Sequence, residues 1–355
     1  MYLLALGDEK TANSLNAQKI LLVSNEMTYT GSPRSLLNIA KILKELGADI
    51  DVWTLKNGGF QKEFENEQIQ VKVFPEMIKE DKIRQYNLII LNTFFTAHLV
   101  KRFQKLTRTI LYIREAHNIP TLARDCGLDI DDIRKANEVI CISEYAEAFI
   151  RKNCMPHRLL VLHNFVKDDY NGQLNLVRGG RVHFLLSGTY EERKGYDIAI
   201  DSFLRMPEKL KRVTCLHIVG RTPEWSRYFW ERLREEYDNR IVEHGEISDE
   251  AERLKLYRQM NVFVIASRDE ACSLVALEGA MLGKALIMSE NVGAQYLDKK
   301  RKAVYSTEDV DVLCRKMCEM TSRRELLVRG IAMRKAYKQM ATIETYKREF
   351  MKLLK

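Results

Sequence analysis

Residues 262–283 read Val-Phe-Val-Ile-Ala-Ser-Arg-Asp-Glu-Ala-Cys-Ser-Leu-Val-Ala-Leu-Glu-Gly-Ala-Met-Leu-Gly. The first five are apolar with no polar face, the signature of a strand buried on both sides of a parallel sheet. A polar loop follows, and then an apolar stretch of helical length from Ser273 to Leu282, closed by Gly283. The unit is strand, loop, helix. The same unit recurs along the chain. In the second half the strand-like runs are His183–Ser187, Cys215–Val219, Ile241–His244, Val262–Ala266, Ala285–Met288 and Ala303–Ser306, with helical patterns between them. In the first half they are Ile20–Ser24, Ile50–Leu55, Leu88–Asn92, Thr109–Ile113, Val139–Ser143 and Leu159–Leu162. The clearest helices there are Pro33–Leu46, with Gly47 just past its end, and Glu144–Lys152.

Two β/α halves of similar size predict an α/β chain of two doubly wound, Rossmann-like domains facing each other across a cleft. The expected boundaries are 1–165 for the first domain, 166–180 for a polar linker, 181–335 for the second domain, and 336–355 for a helix crossing back. In such sheets ligands sit at the carboxyl ends of the strands, so the loops after the apolar runs are where chemistry belongs. After Val262–Ala266 come Glu270 and, eight positions on, Glu278. A helix starting near Ser273 offers the Ser273, Leu274 and Val275 amides as an anion site. Glu278 stands in an otherwise apolar helix, where a buried carboxylate needs a partner, and ribose hydroxyls would serve. After His183–Ser187 come Gly188, Thr189, Arg193 and Lys194, the last standing before a helix start as a point charge suited to phosphate.

Composition narrows the function. The chain has 355 residues, 46% hydrophobic and 30% charged, an ordinary globular balance. The uncharged stretch Asn87–Val100 is shorter and more polar than the ~20 apolar residues of a membrane-spanning helix. Met1–Gly7 lacks the basic start and apolar core of a leader. Seven cysteines with no CxxC pair point to reduced thiols and a cytoplasmic setting. The net charge of +8 equals the surplus of residues 300–355 alone, so this segment is either a solvated helical face or a peripheral contact with anionic membrane. Nucleic-acid signatures are absent. Asp-x-Asp occurs at Asp49–Asp51, Asp129–Asp131 and Asp309–Asp311, too often to signal a metal. Trp225, Tyr228, Phe229 and Trp230, at helical spacing, read as core rather than as a sugar platform.

One ordered set of motifs is more specific. Gly188-x5-Lys194-Gly195, Ile218-Val219-Gly220, His244-Gly245-Glu246 and Glu270-x7-Glu278 together resemble the retaining glycosyltransferases of family 4 over about 110 residues. Gly31-Ser32-Pro33, Arg114-Glu115-Ala116-His117 and His163-Asn164 agree more loosely with the same family. The resemblance implies a GT-B fold and transfer of a hexose from a nucleoside-diphosphate sugar to an acceptor hydroxyl. It implies retention of configuration, with neither metal nor cofactor. By the same resemblance Glu270 and His117 act at the sugar. Gly31, Ser32, Gly188, Thr189, Arg193, Lys194, Gly220, Ile247, Ser273, Leu274, Val275 and Glu278 bind the donor, and Asn164 lies at the acceptor side or hinge. The partners are then the nucleotide sugar and a saccharide or lipid-linked acceptor of cell-surface polysaccharide or glycolipid synthesis. Three departures stand out. Thr189 replaces an Arg, Ala271-Cys272-Ser273 replaces Gly-Phe-Gly, and Ser32 replaces a Gly. They keep two alternatives open, a non-catalytic scaffold subunit and a sugar-nucleotide epimerase.

Overall fold

The computed structural model describes residues 15–16, 18–74, 78–177 and 179–354, so Met1–Gly7 lies outside the described residues. These residues form two compact units. One contains the chain up to Leu162 together with the stretch from Lys347, and the other is His163–Tyr346.

The first unit holds a seven-stranded parallel sheet. Its strands are β1 Lys19–Ser24, β2 Asp49–Thr54, β3 Val71–Val73, β4 Leu88–Asn92, β5 Arg108–Ile113, β6 Glu138–Cys141 and β7 Arg158–Val161, in the order β3-β2-β1-β4-β5-β6-β7. The second unit holds a six-stranded parallel sheet of β8 Val182–Ser187, β9 Thr214–Val219, β10 Ile241–Glu243, β11 Val262–Ile265, β12 Ala285–Ser289 and β13 Val304–Tyr305, in the order β10-β9-β8-β11-β12-β13. In each sheet the strand order reverses beside the first strand, between β1 and β4 and between β8 and β11. Those are the topological switch points, where helices leave to opposite faces and open a crevice.

The central strands are buried on both faces, as their composition requires: β4, β11 and β12 carry no exposed residue. One face of the second sheet packs Phe184, Leu186, Leu216, Ile218 and Val264 against Ile200, Phe203 and Trp230 from neighbouring helices. Trp230 is stacked on Tyr190 with ring centroids 3.9 Å apart.

Three expectations are corrected. The helix expected from Pro33 starts earlier, with Gly31 and Ser32 in the first turn of the helix Gly31–Glu45, entered from an extended Thr30. Residues 166–177 are no free linker. Asp168 pairs with Arg334 at 2.7 Å, and the buried Asn175 side chain donates to the carbonyls of Asn261 and Leu326, so this segment is packed into the second unit. Of the aromatic group, Trp230 is core and Phe229 packs against it, but Trp225 and Tyr228 are over 70% exposed. Trp225 sits in a separate 3-10 turn ahead of the helix Arg227–Arg234, which puts it out of phase with the buried stripe.

The Asp-x-Asp pairs have structural employment. Asp51 accepts from the Tyr86 hydroxyl, Asp129 accepts from the Asp131 amide, and Asp309 caps the helix Val310–Glu319. Among the described residues no helix is long and apolar enough to cross a membrane. Part of the C-terminal positive charge is paired, as in Arg334–Asp168, Lys347–Glu45 and Arg329–Glu325.

Candidate active site

The second sheet's switch point assembles a charged cluster, and the backbone explains how. β8 ends at Ser187, and the chain turns at Gly188 into a short 3-10 turn, Glu192–Lys194, before the helix Tyr196–Leu204. Between turn and helix, Gly195 adopts φ +66° with its α-carbon against the end of β11; a Cβ there would sit 2.1 Å from the Ala266 carbonyl oxygen. Only glycine meets both demands. This approach delivers Lys194 to the loop after β11. The Arg268 amide donates to the Arg193 carbonyl at 2.8 Å, and the Arg193 guanidinium donates to the Asp269 carbonyl at 2.7 Å.

Glu270 is the centre of this cluster. Its own backbone is pinned, the amide donating to Asn291 at 3.0 Å and the carbonyl accepting from Gly293 at 2.7 Å. Its carboxylate is in direct contact with the Lys194 ammonium, and the Arg193 guanidinium lies 3.6 Å away. Burial alone would raise the Glu270 carboxyl, but Lys194 and Arg193 hold it below the usual carboxylate range, so it is ionised. Arg193 is further tied to Glu191 at 2.5 Å. Arg268, bracing the loop from behind, makes a bidentate pair with Asp197 at 2.7 and 3.0 Å.

Three residues on from Glu270, Ser273 caps the helix Leu274–Met281, its hydroxyl accepting from the Ala276 amide at 3.2 Å. The serine that departs from the family pattern therefore has a local task that glycine could not perform. The Leu274 and Val275 amides lie at the positive end of this helix, outside its intrahelical ladder. Glu278, one turn in, is buried, and its carboxylate meets the equally buried Arg253 guanidinium at 2.9 Å. The partner that Glu278 needs in its apolar helix is thus Arg253, which comes from the helix Glu250–Gln259 and carries no motif of its own.

The nucleotide-side residues fall on the adjoining strand ends. Gly220 follows β9, and a Cβ on it would lie 1.7 Å from the Gly188 carbonyl oxygen, so this glycine lets the β8 and β9 turns touch. Its amide donates to Gly245 at 2.9 Å, which ties in the loop that carries the half-buried Ile247. Thr189 is half-buried between Gly188 and the core residue Tyr190. The structure thus brings Gly188, Thr189, Arg193, Lys194, Gly220, Glu270 and Ser273–Val275 to one edge of the second sheet. Asn164 is buried in the second unit beside His163, which stacks on Tyr296 at 3.7 Å.

The first unit carries its own polar network at the corresponding switch point. The buried Asn92, ending β4, donates to the Ser32 hydroxyl at 2.7 Å and accepts from Arg114 at 2.5 Å. Thr93 is held at φ +85° and reaches Asn25, beyond β1, at 3.3 Å. Glu115 accepts from the Phe94 and Arg114 amides at 3.0 Å each, and burial pushes its carboxyl up. His117 was the residue expected to act here, and neither Asn92 nor Glu115 was a candidate from the sequence. His117 is exposed and stacks on Tyr145 with centroids 4.8 Å apart.

Comparison with known proteins agrees with this architecture. Residues 181–323 match the family model described as glycosyl transferases group 1, and residues 16–116 the one described as glycosyl-transferase family 4. No curated protein matches the sequence. Among solved structures, Anabaena HepE in complex with UDP and glucose superimposes with a TM-score of 0.77 at 16% identity, covering 95% of this chain and 99% of its own. A Rickettsia africae glycosyltransferase gives 0.75 at 17%, covering 95% and 98%. Sucrose-phosphate synthase from Thermosynechococcus elongatus gives 0.73 at 16%, also covering 95% and 98%. The fold is that of GT-B glycosyltransferases.

Proposed function

The chain belongs to the glycosyltransferases whose family models match its two halves, and from that premise we propose that it moves a hexose from a nucleoside-diphosphate sugar to an acceptor hydroxyl with retention. The observation that carries this reading is the Lys194–Glu270–Arg193 cluster at the β8/β11 switch point. Two cations beside a helix N-terminus form a diphosphate site in which fixed charges and amides do the work of a metal. UDP and glucose bound to the similar HepE structure support a uridine-based donor.

In this mechanism Lys194, Arg193 and the Ser273, Leu274 and Val275 amides stabilise the departing diphosphate. Gly188, Thr189, Gly220 and Ile247 border the nucleotide, and Glu278, paired with Arg253, holds the ribose. Glu270 acts on the sugar as positive charge develops at its anomeric carbon. Gly31, Ser32 and His117 are assigned to donor and sugar, and Asn164 to the acceptor side, by their resemblance to the family. The acceptor is a saccharide or lipid-linked hydroxyl in cell-surface polysaccharide or glycolipid synthesis. The +8 surplus of residues 300–355 is unchanged by their ion pairs and would suit a peripheral contact with an anionic membrane.

The test is calorimetry with uridine diphosphate on Lys194→Ala. A charge-assisted contact is worth ~1.5–3 kcal/mol, so affinity should fall about tenfold to a hundredfold. Unchanged affinity would put the phosphates elsewhere and end this reading.

A further inference from the structure

On the second sheet, away from the charged cluster, three neighbouring segments each contribute a histidine. His183 on β8 and Cys215 on β9 are register partners, and His217 lies two residues beyond Cys215 on the same face. The opposite face of β9 carries Leu216 and Ile218 into the core. The imidazole, thiol and second imidazole are thus segregated from the apolar side by the pleat itself. His183 Nδ1 and His217 Nε2 are 2.8 Å apart, and these atoms and Cys215 Sγ all lie within 4.8 Å of one another. His183 and His217 are half-buried and Cys215 is buried.

We propose that His183, Cys215 and His217 form a binding site for a divalent ion of the zinc class, with water in the fourth position. Tetrahedral Zn²⁺ takes nitrogen at ~2.0–2.1 Å and sulfur at ~2.3 Å, which sets neighbouring ligand atoms roughly 3.3–3.6 Å apart. Small rotations of the two rings and the thiol reach that spacing from the distances seen. The donor set suits the ion: two imidazoles and one thiol select Zn²⁺ over Mg²⁺ or Ca²⁺, which prefer oxygen.

The outer contacts fit as well. A metal-bound imidazole holds its other nitrogen with a hydrogen-bond acceptor, and His217 Nδ1 lies 2.9 Å from His244 Nε2. Burial, His183 and His244 push His217 down to about 4, so its lone pair is available at neutral pH. The Cys215 thiol now donates to the Arg240 carbonyl at 3.1 Å; on metal binding it gives its proton to solvent and its sulfur to the ion. Arg181 disfavours the added charge and Asp238 favours it.

His183 is five residues before Gly188, roughly 16 Å along the strand at ~3.3 Å per residue. The site is therefore separate from the proposed diphosphate cluster, and it clamps β8 to β9.

The experiment titrates the full chain with Co²⁺, a spectroscopic stand-in for Zn²⁺, and then displaces it with Zn²⁺. The expected result is one Co²⁺ per chain, with strong visible bands of four-coordinate geometry and a thiolate-to-cobalt charge-transfer band. Cys215→Ser should lose the charge-transfer band, and His217→Gln should lose saturable binding. His244→Ala should weaken binding about tenfold to a hundredfold. Metal-free melting temperatures confirm that the variants are folded, and the near-isosteric Cys215→Ser keeps the test open if His217→Gln is not. A pale six-coordinate spectrum, absence of saturation, or a charge-transfer band that survives in Cys215→Ser would overturn the proposal.

Discussion

Replacing Glu270 with Gln should tighten the binding of diphosphate while slowing transfer. Without ligand, the Glu270 carboxylate occupies the Lys194 ammonium, and both side chains are largely buried, at 14% and 21% exposed. A phosphate reaching Lys194 must therefore share it with an existing anion. A charge-assisted hydrogen bond of this kind contributes ~1.5–3 kcal/mol. A glutamine amide recovers part of that, so relief of roughly 1 kcal/mol is expected, about a fivefold gain in affinity. Arg193 adds little to the gain, since Glu191 and the Asp269 carbonyl keep hold of it.

The substitution should leave the loop in place, because the Glu270 backbone is bonded on both sides to Asn291 and Gly293. Calorimetry with uridine diphosphate measures the first effect. Turnover with donor and acceptor measures the second, expected to fall ~10²–10⁴-fold as for other positioned carboxylates. Lower KM together with lower kcat is the signature of a group that opposes ground-state binding and assists the transition state. Weaker diphosphate binding by the Gln variant, or turnover at the wild-type rate, would refute the assignment of Glu270.

Two further outcomes follow from the packing around the site. Arg253→Met should destabilise the second unit by ~3–5 kcal/mol in urea unfolding, because it strands the buried Glu278 carboxylate, and adding Glu278→Leu should recover most of that loss; a loss under about 1 kcal/mol for the single variant would mean the pair is not coupled. Gly220→Ala should cost ~1–3 kcal/mol and weaken nucleotide binding, since its methyl group would overlap the Gly188 carbonyl, and wild-type stability in that variant would contradict the close approach of the two turns.

The strands were legible because burial on both faces leaves no room for polar residues. Twelve apolar runs in the sequence correspond to strands β1, β2 and β4–β13. The missed strand, β3, is a half-exposed edge of three residues, Val-Lys-Val, with too little apolar content to register. Polarity misled at residues 166–177, where Asp168, Asp169 and Asn175 look like linker but are satisfied by Arg334, Arg258 and Asn261. Composition cannot tell a polar group facing water from one facing a protein partner. The same limit hid Arg253, 25 residues before Glu278, and the His183–His217–His244 row, whose members are separated by 34 and 27 residues. What was legible of the site was what the strand ends announce: glycines and charges immediately after an apolar run.

The two switch points also show how one architecture shifts two carboxylates in opposite directions. Glu115 and Glu270 both follow a central strand at its carboxyl end. Glu115 faces backbone amides and the Arg114 charge, yet desolvation wins and its carboxyl is pushed up. Glu270 pays the same desolvation but faces Lys194 and Arg193, and the cations win. The consequence for the second unit is an electrostatic latch. With no donor, Glu270 neutralises the cations that a diphosphate would require. When phosphate takes Lys194, the carboxylate loses its nearest countercharge but keeps Arg193 at 3.6 Å and stays fixed by its backbone. Its negative field is then directed at whatever positive charge develops nearby, which in glycosyl transfer is the anomeric carbon. Donor binding and activation of the carboxylate become the same event, so an Arg193→Gln or Lys194→Gln variant should lose more in kcat than its weakened donor binding alone would explain.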